Sequence, residues 1–328
     1  MKKQLSAILA LALALTLVLS ACGGTNGDAG TSPDANTPDG GASVYPLTFD
    51  NYGRTITVEA RPQKVLALGP NCAETMAALG LADFVIGTSL KNHSRGPLPE
   101  FADAVNAMPE LNYSSATREA VISSGADFIY GLDWEFGGSG LDTEELAGYG
   151  ITVYIDSATT LEQTYQEILD IGKIFGVEDA AAAFVAEQKA RVQAVADKIA
   201  GAARPSVLVC DAVDDGIFTA TGVNYETLLM DLAGGANVFA DLTDKAWTTV
   251  SYEEVLKREP DVVMIHDYDA PSVEEKIASI KANPTLSQLA CVKDERFVVI
   301  ELESVLPGDR TAYTVEKLAR GFYPDLFQ

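Results

Sequence analysis

From residue 62 onward, short apolar runs alternate with segments of helical period. "KVLALG" (64–69) reads as a strand and is followed by the helical "CAETMAALG". "FVIG" (84–87), "DFIYG" (127–131) and "TVYI" (152–155) continue the series. Past residue 203 it restarts with "SVLVC" (206–210), then "YETLLMDLAGG", "DVVMIH" (261–266) and "FVVIE" (297–301). Strands that are apolar throughout, separated by helices, predict an α/β protein with parallel sheets covered on both faces.

The two halves overlay. At an offset of 134 residues "REAVISSGADFIYGLDW" (118–134) lies on "YEEVLKREPDVVMIHDY" (252–268), pairing Glu119 with Glu253, Asp127 with Asp261 and Asp133 with Asp267. This predicts two lobes of similar build; chance likeness of two βα units is the alternative. Between them "VEDAAAAFVAEQKARVQAVADKIAG" (177–201) is proline-free and rich in Ala, Glu, Lys and Gln, and it ends at Gly201. It predicts one long helix joining the lobes. An ordinary surface helix of one lobe is the alternative.

The first 43 residues follow another pattern. Lys2 and Lys3 precede an apolar stretch from Leu5 to Leu19 and the small residues Ser20-Ala21, the order of an export signal. A membrane span needs about 20 apolar residues, more than this run supplies. "LSAC" (19–22) resembles the lipobox of bacterial lipoproteins, which implies cleavage before Cys22 and acylation of its sulfur. Residues 23–43 contain only Gly, Pro, Asn, Asp, Ser, Thr and Ala, too little apolar area to offset ordering. A flexible tether with a reach of about 25 Å is expected. The expected organisation is thus a signal peptide (1–21), a lipidated cysteine and tether (22–43), an N-terminal lobe (44–176), a bridging helix (177–202) and a C-terminal lobe (203–328).

Charge narrows the partners. Without Lys2 and Lys3, 21 basic and 47 acidic residues remain, a formal charge of −26. Nucleic acid and anionic lipid are disfavoured. Cys72, Cys210 and Cys291 are too widely spaced for a zinc or redox motif. Cys210 with Cys291 is the one disulfide to consider, and buried free thiols are the favoured reading.

"RPQKVLALGPNCAETMAALGLADFVIG" (61–87) resembles the opening of the solute-binding proteins of ABC importers for ferric siderophores and cobalamin. "VSYEEVLKREPDVVMI" (250–265), "GGANVFAD" (234–241) and "LPGDRTAYTVEKLARGFYP" (306–324) are similar to later motifs of that family. The resemblance covers nearly everything from about residue 46. It implies two Rossmann-like lobes joined by one long helix, with a ligand cleft between them. It also implies that Glu74 and Glu253 lie one on each lobe and meet arginines of a permease dimer. Helix capping is the alternative for both, through Asn71-Cys72-Ala73-Glu74 and Ser251-Tyr252-Glu253-Glu254.

Ligands of open parallel sheets bind beyond the strand C-termini. That rule selects Asn71, His93, Arg95, Trp134, Phe218, Thr219 and Tyr268. His266, Asp267 and the stretch Glu303–Arg310 follow the same strands. Tyr113 and Trp247 stand in segments taken as irregular, and Arg310 lies in "PGDR". So aromatic and hydrogen-bonding a set suits a bulky organic ligand. Core packing is the alternative for any single aromatic, and a structural ion pair for Arg95 or Arg310.

The expected function is a substrate-binding lipoprotein on the outer face of a cytoplasmic membrane. It would capture a metal chelate, a ferric siderophore first with cobalamin or haem open, and use no cofactor of its own. A bare metal-ion receptor is the runner-up; it has only His93 and His266 to use, with Asp267 and Glu303. An enzyme is the rival class. Cys72 is at a helix start but has no evident base, and no phosphate loop, H-E-x-x-H or G-x-S-x-G is present.

Overall fold

The computed structural model describes residues 44–138 and 140–327. The expected signal peptide, Cys22 and the tether lie outside the described residues. Among the described residues no helix is long and apolar enough to cross a membrane.

The N-terminal lobe opens with an antiparallel hairpin, β1 (Leu47–Asn51) and β2 (Arg54–Val58), which the sequence reading missed. Its strands alternate buried and exposed residues, as one-sided strands do. Then come β3 (Val65–Leu68), α1 (Pro70–Ala78), β4 (Val85–Thr88), α2 (Ala102–Ala107), α3 (Arg118–Ser123), β5 (Phe128–Leu132), α4 (Thr143–Gly148), β6 (Thr152–Asp156) and α5 (Leu161–Phe175). Helix α6 (Glu178–Ile199) leads to the second lobe. There the order is β7 (Ser206–Cys210), β8 (Ala212–Val213), β9 (Ile217–Ala220), α7 (Tyr225–Leu232), β10 (Ala236–Asn237), β11 (Trp247–Val250) and α8 (Tyr252–Arg258). It closes with β12 (Val262–Asp267), α9 (Val273–Ala282), α10 (Ala290–Lys293), β13 (Phe297–Glu301) and α11 (Thr311–Phe322).

Both lobes carry a four-stranded parallel sheet of one topology, β4-β3-β5-β6 in the first and β10-β7-β12-β13 in the second. In chain order each reads second, first, third, fourth. The registers correspond as well, since Val65 sits opposite Phe128 and Val207 opposite Val262. The overlaid aspartates perform one task. Asp127 accepts hydrogen bonds from the amides of Gln63 and Lys64, and Asp261 from the amide and hydroxyl of Ser206. Each carboxylate pins the entry to the first strand of its sheet.

Side chains alternate across each sheet into two cores. Val65, Ala67, Phe128 and Tyr130 face α1 and α5, whereas Leu66, Leu68, Ile129 and Val153 face the other side with Val121 of α3 and Leu146 of α4. Val207, Val209 and Met264 join α7 and α11, while Leu208, Cys210, Val263 and Ile265 meet α8, α9 and α10. Each such fully buried aliphatic side chain contributes about 1.5–3 kcal/mol relative to exposure.

Helix α6 is about 33 Å long at 1.5 Å per residue. Its buried stripe runs Ala181, Val185, Gln188, Val192, Val195. Ala181 and Val185 belong to the first lobe's core, Val192 and Val195 to the second's. Between them, the buried Gln188 accepts a hydrogen bond from the amide of Ala312 at 2.8 Å. The helix is a strut rooted in both lobes.

Candidate functional site

Between the lobes lies a cavity of about 620 Å³. From the first lobe, β5 ends in a short 3-10 turn, Asp133–Glu135, that presents Trp134 with 46% of its surface exposed. The turn is anchored by Glu135, which is buried and accepts hydrogen bonds from Ala116 N at 2.8 Å and Ser89 Oγ at 3.4 Å. The end of β6 adds Asp156 and Ser157. His93 closes this side, its ring centre 6.1 Å from that of Trp134 and 6.4 Å from that of Tyr268 on the facing lobe.

The second lobe answers with Phe218 and Trp247, whose rings stack at 5.3 Å and 20°. Neither stands in a loop, as the sequence had suggested. A small antiparallel sheet, β11-β9-β8, holds both, with Trp247 opposite Ala220 and Thr249 opposite Phe218. Asp211, one residue past β7, forms the floor, and Leu302, Val305, Leu306 and Pro307 the back wall.

Behind Trp247 a buried polar cluster fixes its position. Trp247 meets the His266 ring edge-on at 5.8 Å. His266 is fully buried, with Nδ1 2.8 Å from Asp211 and Nε2 2.6 Å from Glu226. Burial alone would lower its pKa, but the two carboxylates outweigh burial and raise it to about 9. Burial likewise pushes Asp211 up, and the bond and charge of His266, the Lys276 ammonium and the Tyr268 hydroxyl together more than reverse this. Lys276, also buried, donates to the His266 carbonyl at 2.8 Å and lies 3.7 Å over the Tyr268 ring. His266 thus faces two carboxylates, the pairing that a buried charge requires, and Lys276 adds a second positive charge that helps lower the Asp211 pKa.

The first lobe has a counterpart without cations. Asn71 donates to Asp156 at 2.5 Å and to the Pro307 carbonyl at 2.8 Å. Burial, then the neighbouring Glu167 carboxyl, raises the Asp156 pKa well above its ordinary value. Gly69 precedes this corner at φ 146, where an added Cβ would come within 2.8 Å of Leu132 and 2.9 Å of the Asn71 oxygen. Only glycine fits there.

His93, Trp134, Phe218 and Trp247, with Val305, Leu306 and Pro307 of the 303–310 stretch, line the cavity among the residues selected from sequence. The others have different places. Thr219 is buried within β9. Asn71 is buried behind Asp156, and Tyr268 backs His93. Arg95 and Tyr113 reach across the cleft mouth, Arg95 Nε donating to Asp267 at 2.8 Å and Tyr113 to Asp269 at 2.8 Å. Arg310 is only 3% exposed and does not line the cavity, which corrects its placement as a ligand contact.

Glu74 is corrected too. It is 1% exposed, and its carboxylate accepts from Arg310 Nε at 2.9 Å, Arg310 Nη2 at 2.6 Å and Leu98 N at 3.2 Å. A carboxylate enclosed in this way has no face left for an arginine of another protein. Nor does it cap α1, which begins at Pro70 without a side-chain cap. Glu253 is exposed in the first turn of α8, capped by Ser251 through Glu254 N. Glu119, its overlay partner, is exposed in the first turn of α3, capped by Thr117.

Asp156 and Asp211 were missed although both directly end strands, the signal already in use. Cys72, Cys210 and Cys291 are free and buried, so the pair Cys210–Cys291 is not bonded. Burial pushes the Cys72 thiol well up, against the thiolate that a nucleophile needs. Among the described residues no group of three or more His, Cys, Asp or Glu is arranged to hold a metal ion. Both nitrogens of His266 are committed within the protein.

Comparison with known proteins agrees with this architecture. The chain is 25% identical, over the full length of both, to an uncharacterized ABC transporter substrate-binding lipoprotein, YvrC, of Bacillus subtilis. It is 29% identical over 267 residues to a cobalamin-binding protein of Halobacterium salinarum, covering 80% of this chain and 68% of that one. A solved structure described as an ABC-type Fe3+-hydroxamate transport system, from Saccharomonospora viridis, matches with a TM-score of 0.71 and 25% identity, covering 85% of this chain and 99% of that one. These relatives are solute-binding proteins, not enzymes. Residues 65–303 match the family model for periplasmic binding proteins, and a match across most of both lobes makes this chain a member of that family.

Proposed function

We propose that the chain captures a bulky metal chelate between its lobes and delivers it to an ABC permease in the cytoplasmic membrane. In this reading a lipid on Cys22 holds it at the outer face, and the tether gives it room to move. The observation that carries the reading is the cavity of about 620 Å³ walled by Trp134 on one side and the Trp247–Phe218 stack on the other. Broad aromatic faces with a few polar groups suit a large, flat-sided organic ligand. The names of the relatives support a ferric siderophore or a corrinoid as the cargo class. Glu253 serves as an exposed docking carboxylate, with its duplicate Glu119 in the matching place on the first lobe.

The test is titration of the purified protein with ferric siderophores, cobalamin and haem, read by tryptophan emission. Mass spectrometry of material copurified from native membranes runs alongside it. Saturable quenching by one of these chelates is expected. Turnover of the chelate, or no saturable response with any of them, overturns the reading.

A further inference from the structure

We infer that the cleft has one doorway: cargo enters and leaves past a lip formed by Thr159 and Val223, and the opposite edge is held shut by a clasp, residues 91–96. This rests on the chelate-capture reading and adds the route to it.

The sheet orders set up the asymmetry. β4 and β6 are the two edges of the first sheet, β13 and β10 those of the second. The clasp follows β4, leaving it through Leu90, whose φ of 64 is uncommon for a residue with a side chain. It bonds to the ends of β12 and β13 and the turns beyond them. Ser94 Oγ and Arg95 N donate to Glu303 at 2.9 and 2.8 Å, Arg95 Nε to Asp267 at 2.8 Å, and Asp269 N to the Asn92 carbonyl at 3.4 Å. Arg310 Nη2 holds the far end through the Gly96 carbonyl at 2.7 Å. Glu303 is 1% exposed, and bonds to a buried carboxylate are stronger and less screened than an exposed pair such as Arg95–Asp267. The clasp therefore does not depend on a rim ion pair.

The other edge is built differently. Thr159 follows β6, and Val223 precedes α7, which packs on β10. Both line the cavity and both are exposed, Val223 by 44%. The polar groups of each lip are spent inside their own lobe. Thr159 bonds to Gln163 and Ser157 N to Glu167, while Thr221 and Asn224 donate to the carbonyls of Lys245 and Ala246. A tie between the lobes on this side, Thr164 Oγ1 to Tyr225 OH at 3.1 Å, is buried and leaves the lip free. An exposed valine on the rim of a cavity that also exposes Trp134 and Phe218 gives an organic ligand apolar surface to land on.

The experiment uses the full-length protein in detergent. Asn92→Cys with Asp269→Cys is oxidised to staple the clasp where the two backbones already touch. Val223→Cys carries N-cyclohexylmaleimide on the lip, and Lys91→Cys carries it on the clasp as a control. The described native thiols are buried, so labelling is directed to the new site. Stopped-flow quenching by haemin, cyanocobalamin and ferrioxamine B reads exchange. The lip label is expected to slow both association and dissociation of any probe that binds by about tenfold, at nearly constant affinity. The staple and the control label should change neither rate. A staple that blocks exchange, or a lip label that leaves the association rate unchanged, overturns the doorway and leaves chelate capture standing. A double variant that forms no disulfide under oxidant overturns the clasp. Failure of all three probes to bind overturns capture and route together.

Discussion

Arg310 and Glu74, 236 residues apart, form a two-pronged ion pair buried between the lobes. Arg310 precedes α11 and Glu74 lies within α1, so the pair fastens one lobe to the other. Arg310 also donates to Ser304 and to the Gly96 carbonyl, which satisfies its fork. Breaking a buried pair strands the remaining charge. Arg310→Met or Glu74→Gln should each cost about 3–5 kcal/mol of unfolding free energy in urea. Glu74→Met with Arg310→Leu should recover much of that. Additive losses in the double variant would show that the pair is not an isolated ionic contact.

The aromatic wall predicts where affinity lies. Trp247→Ala removes a stacked face and should weaken chelate binding by about 1.5–3 kcal/mol, with Trp134→Ala acting in the same direction. Isothermal titration with whichever chelate quenches the wild type provides the measurement. Unchanged affinity in both variants would remove the aromatic faces from the account.

Docking and capture should separate. Glu253→Ala, with Glu119→Ala added, is expected to leave chelate affinity unchanged and to lower uptake into cells strongly. Normal uptake by the double variant would exclude these carboxylates from permease contact.

His266 makes stability depend on alkaline pH. Its ordinary pKa is about 6.5, and in the fold it is raised to about 9. The folded protein thus keeps a proton that the unfolded chain releases. This contribution is complete below about pH 6.5, declines as pH rises and is lost above about 9; it is at most about 3 kcal/mol. Urea midpoints of the wild type should fall between pH 6.5 and 9.5 more steeply than those of His266→Asn. Equal slopes would mean that the imidazole is not charged in the fold.

The thiols should be silent. Burial raises Cys210 to about 12 and Cys291 to about 11, and it pushes Cys72 well above the ordinary thiol value. At pH 8 a fragment of residues 44–328 should show no reaction with a thiol reagent until denatured, and then three equivalents. Rapid labelling of the native fragment would contradict the buried placement.

The strands of both parallel sheets were readable because a strand covered on both faces is apolar without interruption. The duplication was readable because Asp127 and Asp261 perform the same hydrogen-bonding task at the same offset. Phe218 and Trp247 were misplaced into loops because a short antiparallel strand at a cleft has mixed polarity, and its partner lies some thirty residues away. Glu74 was misjudged for a different reason. Its helix position is compatible with exposure, and only the arrival of Arg310 from the far end of the chain encloses it. No local pattern announces such a contact. Asp156 and Asp211 were open to inference by the strand-end rule and were passed over in favour of aromatics.

The continuous α6 strut has a kinetic consequence. Val185 and Val192, two turns apart on one unbroken helix, are held in opposite cores, so the jaws cannot swing apart without uprooting one of them. Molecular recognition must then work like a fixed gauge rather than a clamp: cargo enters sideways through a nearly constant gap. Release at the transporter would call for wedging from outside, because the receptor lacks a spring of its own.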